Sequence, residues 1–475
     1  WDKCRTCFKG EEAVKQENHI YLPFLSNQDS PEYYSYKNRA IFLNVLRRTI
    51  QGLVGAAIRK TPIIEVPTEL SAHIKDCDMM GSSIEELMGD LLTEMLITGR
   101  VNLVVDRMED SRTYLTTYNA ESFINWRMHM NSPTMAVFAE ELDVTTDGYD
   151  HEMKIQYRVF DFDDNENVRV RVALEKAPDE QSDEEDVFEI IYETVPTVMG
   201  EGLKKLPLFT INSTGLGFDE LQPPPLLDLA NLSLSHYRTS ADLENGRHFT
   251  ALPQPWITGV DPDEYRSGIS IGGESAWIIP NEGANLGYLE FSGQGLGSLE
   301  NALSEKEQMM AIAGARLLES KKGVESAEVS RIRQNIETSV LSSIVVNLQN
   351  GVEKALKYMA KWEGMNTDEV RVELNMDFVD VRIPHQEIIA LVQSYQMGGI
   401  SMDTLLHNLK QGEVIPSNVS IDEEREKIEL DHGTVEQPKQ NRSEVLEDSD
   451  EDKIRKESNS DQSINYVRCD VPTNS

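Results

Sequence analysis

Apolar residues along the chain recur first at helical spacing, then at strand spacing, then at helical spacing again. Over residues 36–60, Ile41, Val45, Leu46, Ile50, Leu53, Val54 and Ile58 fall three and four apart, which predicts one amphipathic helix ended by Pro62. Residues 63–66 then read as extended. A second amphipathic helix follows. Ser82 or Ser83 can cap it, Glu85 and Glu86 suit its first turn, and Ile84, Leu87, Met88, Leu91 and Met95 form the stripe. Gly99 supplies the stop, and residues 101–106 form a short apolar strand. From Met135 to Glu193 the period is two. Segments 135–142, 153–162, 168–174 and 187–192 predict an antiparallel meander with acidic turns, one of them Asp163-Asp164-Asn165-Glu166. Residues 179–186 are a further acidic run, expected as a solvated loop.

Three consecutive prolines, Pro223 to Pro225, interrupt the pattern. A helix over 226–247 follows, roughly 33 Å long at ~1.5 Å per residue. Residues 253–297 are rich in Pro and Gly, with Trp256, Trp277 and short strand candidates. Another helix is expected over 299–318 and a break over 319–325, with Gly323 at its centre. The strongest local signal comes next. Val329, Ile332, Ile336, Val340, Leu341, Ile344, Val345, Leu348, Val352, Leu356 and Met359 hold a helical period over 326–362. Such a helix is roughly 55 Å long, and Gly351 is where a bend is expected. Residues 370–383 alternate as one long strand or a strand pair, and two or three short helices fill 384–430. Beyond Asp431 the chain is polar, charged and nearly without aromatics, and disorder is expected. The fold class is α+β.

Composition narrows the function classes. The chain has 475 residues, enough for two to four domains, and its hydrophobic fraction is 39%. No apolar run approaches the ~20 residues of a membrane span. No secretory signal is visible, and with Trp1 at its start the sequence does not decide targeting. The formal net charge is -37 at pH 7. A protein that grips DNA by neutralising phosphates carries basic patches, and few are visible. Two readings fit: an ordinary acidic protein, or one that touches DNA without holding it.

The candidate chemistry is sparse. Cys4 and Cys7 have CxxC spacing, but neither a second pair nor a nearby His completes a metal site. With Cys77 and Cys469 they suggest no disulfide framework, so a reducing compartment is the default. There is no GxxxxGK[ST] loop, HExxH, GxSxG or kinase set. Gly293, Gly295 and Gly297 lack the strand-then-helix context of a dinucleotide loop and read as a hinge. The nine histidines are scattered, and acids are too abundant for any carboxylate pair to stand out. The expectation is a chain with no catalytic residues, no cofactor and no metal.

The segment 223–259, PPPLLDLANLSLSHYRTSADLENGRHFTALPQPWITG, resembles the signature of a tailed-bacteriophage portal family long catalogued as a domain of unknown function. The early stretch Tyr21-Leu22-Pro23, residues 36–60 and LITGRVNLVVD over 96–106 are similar too, so the resemblance spans roughly residues 21–431. It implies an α/β wing over 1–225, a first stem helix over 226–247, a clip over 248–298 and a second stem helix over 299–318. A tunnel loop over 319–325, a spine helix with a returning wing strand over 326–383 and a helical crown over 384–430 follow. The tail 431–475 has no counterpart in that plan. The implied function is a homo-oligomeric ring, a dodecamer in the virion, at one capsid vertex, assembled in the host cytoplasm. Its implied partners are the major capsid protein, the terminase motor, a head–tail adaptor and double-stranded DNA without sequence specificity, with no membrane. The candidate tunnel-loop residues are Glu319, Ser320, Lys321, Lys322 and Gly323. Candidate channel-lining residues are Glu300, Glu305, Lys306, Glu307 and Arg316, and Trp256 and Trp277 are the candidate clip surface for partners. The alternatives are another virion structural protein, such as a head–tail adaptor or scaffold-associated component, and more remotely an acidic hydrolase.

Overall fold

The computed structural model describes residues 1–26, 28–107, 112–130, 132–144, 148, 151–175, 188–217, 221–251, 254–259, 261, 283–289, 293, 295–314, 327–376, 378, 385–412, 414–415 and 419–434. The chain opens with α1 (Asp2–Lys9), α2 (Glu11–Gln16), α3 (Ser30–Arg39) and α4 (Val45–Ala57), followed by β1 (Ile63–Glu65), α5 (Ser71–Lys75) and α6 (Ile84–Thr98). Strands β2 (Arg100–Arg107), β3 (Thr113–Asn119), β4 (Phe123–His129), β5 (Ser132–Asp143), β6 (Met153–Phe162), β7 (Val168–Glu175) and β8 (Phe188–Thr194) come next. Four short ones follow: β9 (Thr197–Val198), β10 (Glu201–Gly202), β11 (Leu208–Asn212) and β12 (Gly215–Leu216). Then come α7 (Leu227–Ala251), β13 (Gln254–Thr258), β14 (Asn285–Leu289), α8 (Leu296–Ala313), α9 (Ala327–Trp362) and β15 (Arg371–Glu373). Helices α10 (His385–Gln396), α11 (Met402–Gln411) and α12 (Ile421–Thr434) close the described chain. The mixture of helix and sheet is α+β.

The single helix expected over 36–60 is two. Asp29 caps α3 by accepting from the Glu32 backbone N–H at 2.8 Å, and Ala40 is extended at φ -60, ψ 138. Asn44 then caps α4 by accepting from the Arg47 N–H. Capping groups and one extended residue outweigh a continuous apolar stripe because each helix end must satisfy its free backbone groups. Ile41, counted in the stripe, is 50% exposed, while Phe42 is buried edge-on to Tyr237 at 6.1 Å. The α6 reading needs no such change. Ser83 and Glu86 form a capping box, and Gly99 ends the helix at φ 83.

Two antiparallel sheets make the scaffold of residues 1–380. One has the order β12-β11-β2-β3, the other the meander order β4-β5-β6-β7-β8, with β4 the strand that sequence periodicity missed. Strands β5 and β6 stay in register from Ala136↔Phe160 to Asp143↔Met153. Tyr118 of β3 stacks on Phe138 of β5 at 4.2 Å, so the two sheets share an aromatic core. The Arg158 guanidinium bonds Asp106 of β2 and lies over the Phe160 ring. Tyr118 and Gln156 both donate to Glu140. The neighbouring acids keep Arg158 charged although it is largely buried, with a pKa above its ordinary range.

Helix α9 lies along the first sheet. At Gly351, the expected bend site, the helix continues unbroken, and a Cβ there would stand 2.4 Å from Ile211 Cδ1 of β11. The glycine serves close approach of helix to strand. Asn347 donates to the Ser213 carbonyl at 3.1 Å beside it. Of the strand expected over 370–383, β15 pairs with β1 through Ile64↔Val372, and residues 377 and 379–383 lie outside the described residues. Its partner β1 is three residues long and lies between Pro62 and Pro67.

Helices α10–α12 belong to a second compact unit. Ser401 caps α11, whose Leu405 and Leu406 are buried, and Ser420 with Glu423 forms a reciprocal cap on α12. That helix runs to Thr434, past the expected limit at Asp431. Residues 435–475, expected to be disordered, lie outside the described residues.

Candidate functional site

Helix α7 is rooted at its start and free at its end. Leu229, Ala230, Leu234, Tyr237 and Ala241 are buried in the helical layer. Lys3 of α1 donates to Asn231 at 2.9 Å, Tyr36 of α3 donates to Asp242 at 2.6 Å, and Arg39 donates to Asn245 at 3.0 Å. Burial and the Asp242 carboxylate push the Tyr36 phenol far above its ordinary pKa, so it stays a donor. From Glu244 to Ala251 no residue is buried.

Helix α8 returns antiparallel beside it. Ser233 meets Met310 at 3.6 Å, His236 meets Glu307 at 3.3 Å, and Arg247 meets Glu300 at 2.8 Å. Lys306 donates to the Ser235 carbonyl at 3.1 Å and to the Thr239 hydroxyl. Gly246 admits Leu296, whose Cδ2 stands 2.6 Å from where a Cβ would be. Partial burial lowers the Lys306 pKa, and Arg238 adds to that. Burial likewise lowers that of His236, with Glu307 opposing.

Strands β13 and β14 pair between the helices, Trp256 opposite Gly287. A Cβ at Gly287 would lie 2.9 Å from Trp256 Cζ2, so the indole covers the glycine while remaining 43% exposed. Between Glu244 and Met309 no described residue is buried, and Met310 is the one buried residue of α8. The arm also exposes Phe249, Leu286, Tyr288, Met309 and Ile312. A segment whose described residues include no buried core between Glu244 and Met309 and leave this much apolar surface open has the character of an interaction element.

The sequence-predicted residues divide. Glu300, Glu305, Lys306 and Glu307 all stand on α8. Glu305 is exposed, Glu300 pairs with Arg247, and Lys306 and Glu307 face α7 through the contacts above. Arg316, the tunnel-loop candidates Glu319, Ser320, Lys321, Lys322 and Gly323, and Trp277 lie outside the described residues. Sequence reasoning missed Phe249, Leu286 and Tyr288. For Leu286 and Tyr288 the signal was large apolar side chains in a Pro- and Gly-rich stretch; Phe249 stands near the end of α7. Cys4 and Cys7 are buried on α1, and burial pushes the Cys7 thiol up to about 12. Among the described residues no group of acids, histidines and cysteines could hold a metal ion, and no helix is long and apolar enough to cross a membrane.

Residues 225–363, from the start of α7 to the end of α9, match the model of a domain of unknown function, DUF4055. No curated protein matches the chain. Among solved structures, a chain from the virion of a native gene transfer agent particle is 13% identical with a TM-score of 0.41, covering 84% of this chain and 98% of its own. A chain from the neck of an empty gene transfer agent particle is 14% identical with a TM-score of 0.40, covering 79% and 91%. One from the neck of a native particle is 13% identical with a TM-score of 0.39, covering 77% and 89%.

Proposed function

We propose that this chain is the portal subunit of a tailed phage or phage-like particle: one copy of a ring that conducts double-stranded DNA through a capsid vertex and performs no chemistry itself. The observation that carries the proposal is the arm, an antiparallel helix pair tipped by a two-stranded hairpin and followed by a 36-residue helix. That order is the stem, clip and spine of the portal plan, and the family match spans the same stretch. Helix α8 has one buried residue in 18, so most of its surface is left for other chains. Copies arranged head to tail and closed into a ring cover such surfaces and leave a channel.

Charge supports the same reading. DNA carries one negative charge per ~1.7 Å of its axis. Exposed Glu300, Glu305 and Glu307 on α8 would repel a passing duplex and keep it mobile. The hairpin, at the far end of the stem, would meet the terminase motor during packaging and a head–tail adaptor afterwards. The body formed by residues 1–380 would sit among neighbouring copies and the capsid protein.

The test is imaging of the purified full chain with a measurement of particle mass. Closed rings with a central hole, of dodecameric or near-dodecameric mass, are the expected result. Only monomers or dimers at micromolar concentration would overturn the proposal.

A further inference from the structure

The five-stranded meander ends in two edges, β4 on one side and β8 on the other. Each edge strand has seven residues, and among the described residues each has a strand beside it on one side only. The far side of such a strand presents unpaired N–H and C=O groups that another chain can extend. Natural edges are commonly guarded by lysine or proline. Strand β8, FEIIYET, has neither. None of its residues is buried, and Phe188, Ile190, Ile191 and Tyr192 are each 41–49% exposed. The Tyr157 ring meets Phe188 edge-on at 5.2 Å without covering it. Open on both faces and along one edge, β8 is incomplete as a strand of a single chain.

Strand β4 is anchored on one face. Phe123 and Trp126 stack at 5.1 Å, and the Arg100 guanidinium lies over both rings. Ile124, Asn125, Arg127, Met128 and His129 are exposed. The Arg127 guanidinium makes no ion pair with a described residue. The register sets Asn125, Val137, Val159, Arg171 and Glu193 in one row across the five strands. Arg127 stands two residues along β4 from that row, and because side chains alternate it is on the same face. Arg127 at one edge and Glu193 at the other therefore share a face of the sheet.

We propose that β8 of one copy of this chain pairs with β4 of the next, so that a single β-sheet runs around the ring. The inference rests on the ring proposed for this chain and names the contact that closes it. Charge selects the pairing. Strand β8 carries Glu189 and Glu193 and no basic residue, while β4 carries Arg127 and His129 and no acid. Two β8 edges together set acid against acid, and two β4 edges set base against base; like charges across strands are unfavourable. Only β8 against β4 brings opposite signs together. Symmetry selects the same pairing. Two identical edges pair about a twofold axis and stop at a dimer, whereas two different edges make a head-to-tail contact that repeats until it closes. In an antiparallel meander the first and fifth strands run the same way, and copies related by a small rotation keep that sense. The joint is therefore a parallel pair, with Glu193 beside Arg127 of the neighbouring copy at a stagger of two residues.

The experiment uses the full-length chain with Cys469→Ser, since Cys4, Cys7 and Cys77 are buried. Arg127→Cys and Glu193→Cys are introduced together and each alone, oxidised, and separated on a denaturing gel without reductant. Particle mass and images of the same reduced samples report ring formation independently. The double variant is expected to give a covalent ladder reaching the full ring, and each single variant to stay at the monomer band. Rings without a ladder, linkage that stops at dimers, or dimers from a single variant would overturn the pairing and leave the ring standing. Absence of rings from the unsubstituted chain would overturn both. Charge exchange gives a second readout. Glu189→Lys with Glu193→Lys should raise the concentration of half-assembly by about fivefold or more. Adding Arg127→Glu and His129→Glu to that chain should return it to near the unsubstituted value. No rise, or a rise without recovery, would sink the proposal.

Discussion

At the scale of single residues, two buried histidines set a pH response. Neither ring nitrogen of His73 has a hydrogen-bond partner, and the residue is 8% exposed. Burial first, then the Arg112 guanidinium, lower its pKa, while Glu363 at 3.8 Å pulls the other way. His236 is lowered in the same direction by burial. In the unfolded chain a histidine takes up a proton near pH ~6.5, whereas these two in the fold resist it. Below that pH the unfolded state therefore binds more protons, and stability falls as pH falls. Thermal unfolding should show a lower Tm at pH 5.5 than at pH 7.5, and His73→Gln should make the decline shallower. An unchanged slope in the variant would refute the assignment. Glycines act at the same scale by leaving room. Gly351 lets Ile211 of β11 sit against α9, a close approach that alanine would obstruct.

At the scale of elements, the helix pair is held by a few contacts spread along it. Near its root Met310 and Ser233 meet; near its tip Gly246 receives Leu296. Placing Val at Gly246 puts atoms where Leu296 already stands, and overpacking of this kind costs about 1–3 kcal/mol. The β-branched residue returns little of that, since Gly to Val in a helix gains only a few tenths of a kcal/mol. Gly246→Val should therefore destabilise the chain and loosen the hairpin. Faster hydrogen exchange in β13 and β14 with unchanged exchange in β5 and β6 is the expected pattern, and uniform or absent change would contradict it. The five-stranded meander should be indifferent because, among the described residues, it makes no side-chain contact with the arm's tip. Its own contacts to the first sheet run through Arg158 and Phe138.

At the scale of the whole molecule, segments 1–380 and 381–475 are separate compact units, and α12 ends at Thr434. Removing the residues after Thr434 takes away no described secondary structure. Such a truncated chain should form particles with the same number of subunits as the full chain, read by light scattering against the mass of one truncated subunit at matched concentration. Particles with fewer subunits would show that the tail takes part in assembly.

Periodicity and local chemistry were enough for much of this protein. The α6 cap and stop, four strands of the meander, the break at Pro223 to Pro225 and the long α9 all follow from interactions within a few residues of each other. Such signals are written in adjacent positions, so the sequence alone determined them. It also determined the charge of the chain and the absence of the familiar catalytic motifs. Tertiary structure decided the rest. The burial of Phe42 between α3 and α4 depends on its finding Tyr237, nearly two hundred positions away. The pairing of β15 with β1 joins positions about three hundred residues apart. The turn of Lys306 and Glu307 toward α7 depends on which face of α8 meets its neighbour. A cleft lined by lysines joins Lys204 and Lys205 to the α9 lysines near 357, a meeting across some 150 positions. Contacts between distant parts of a chain leave no periodic trace in either part, so only the folded arrangement reveals them.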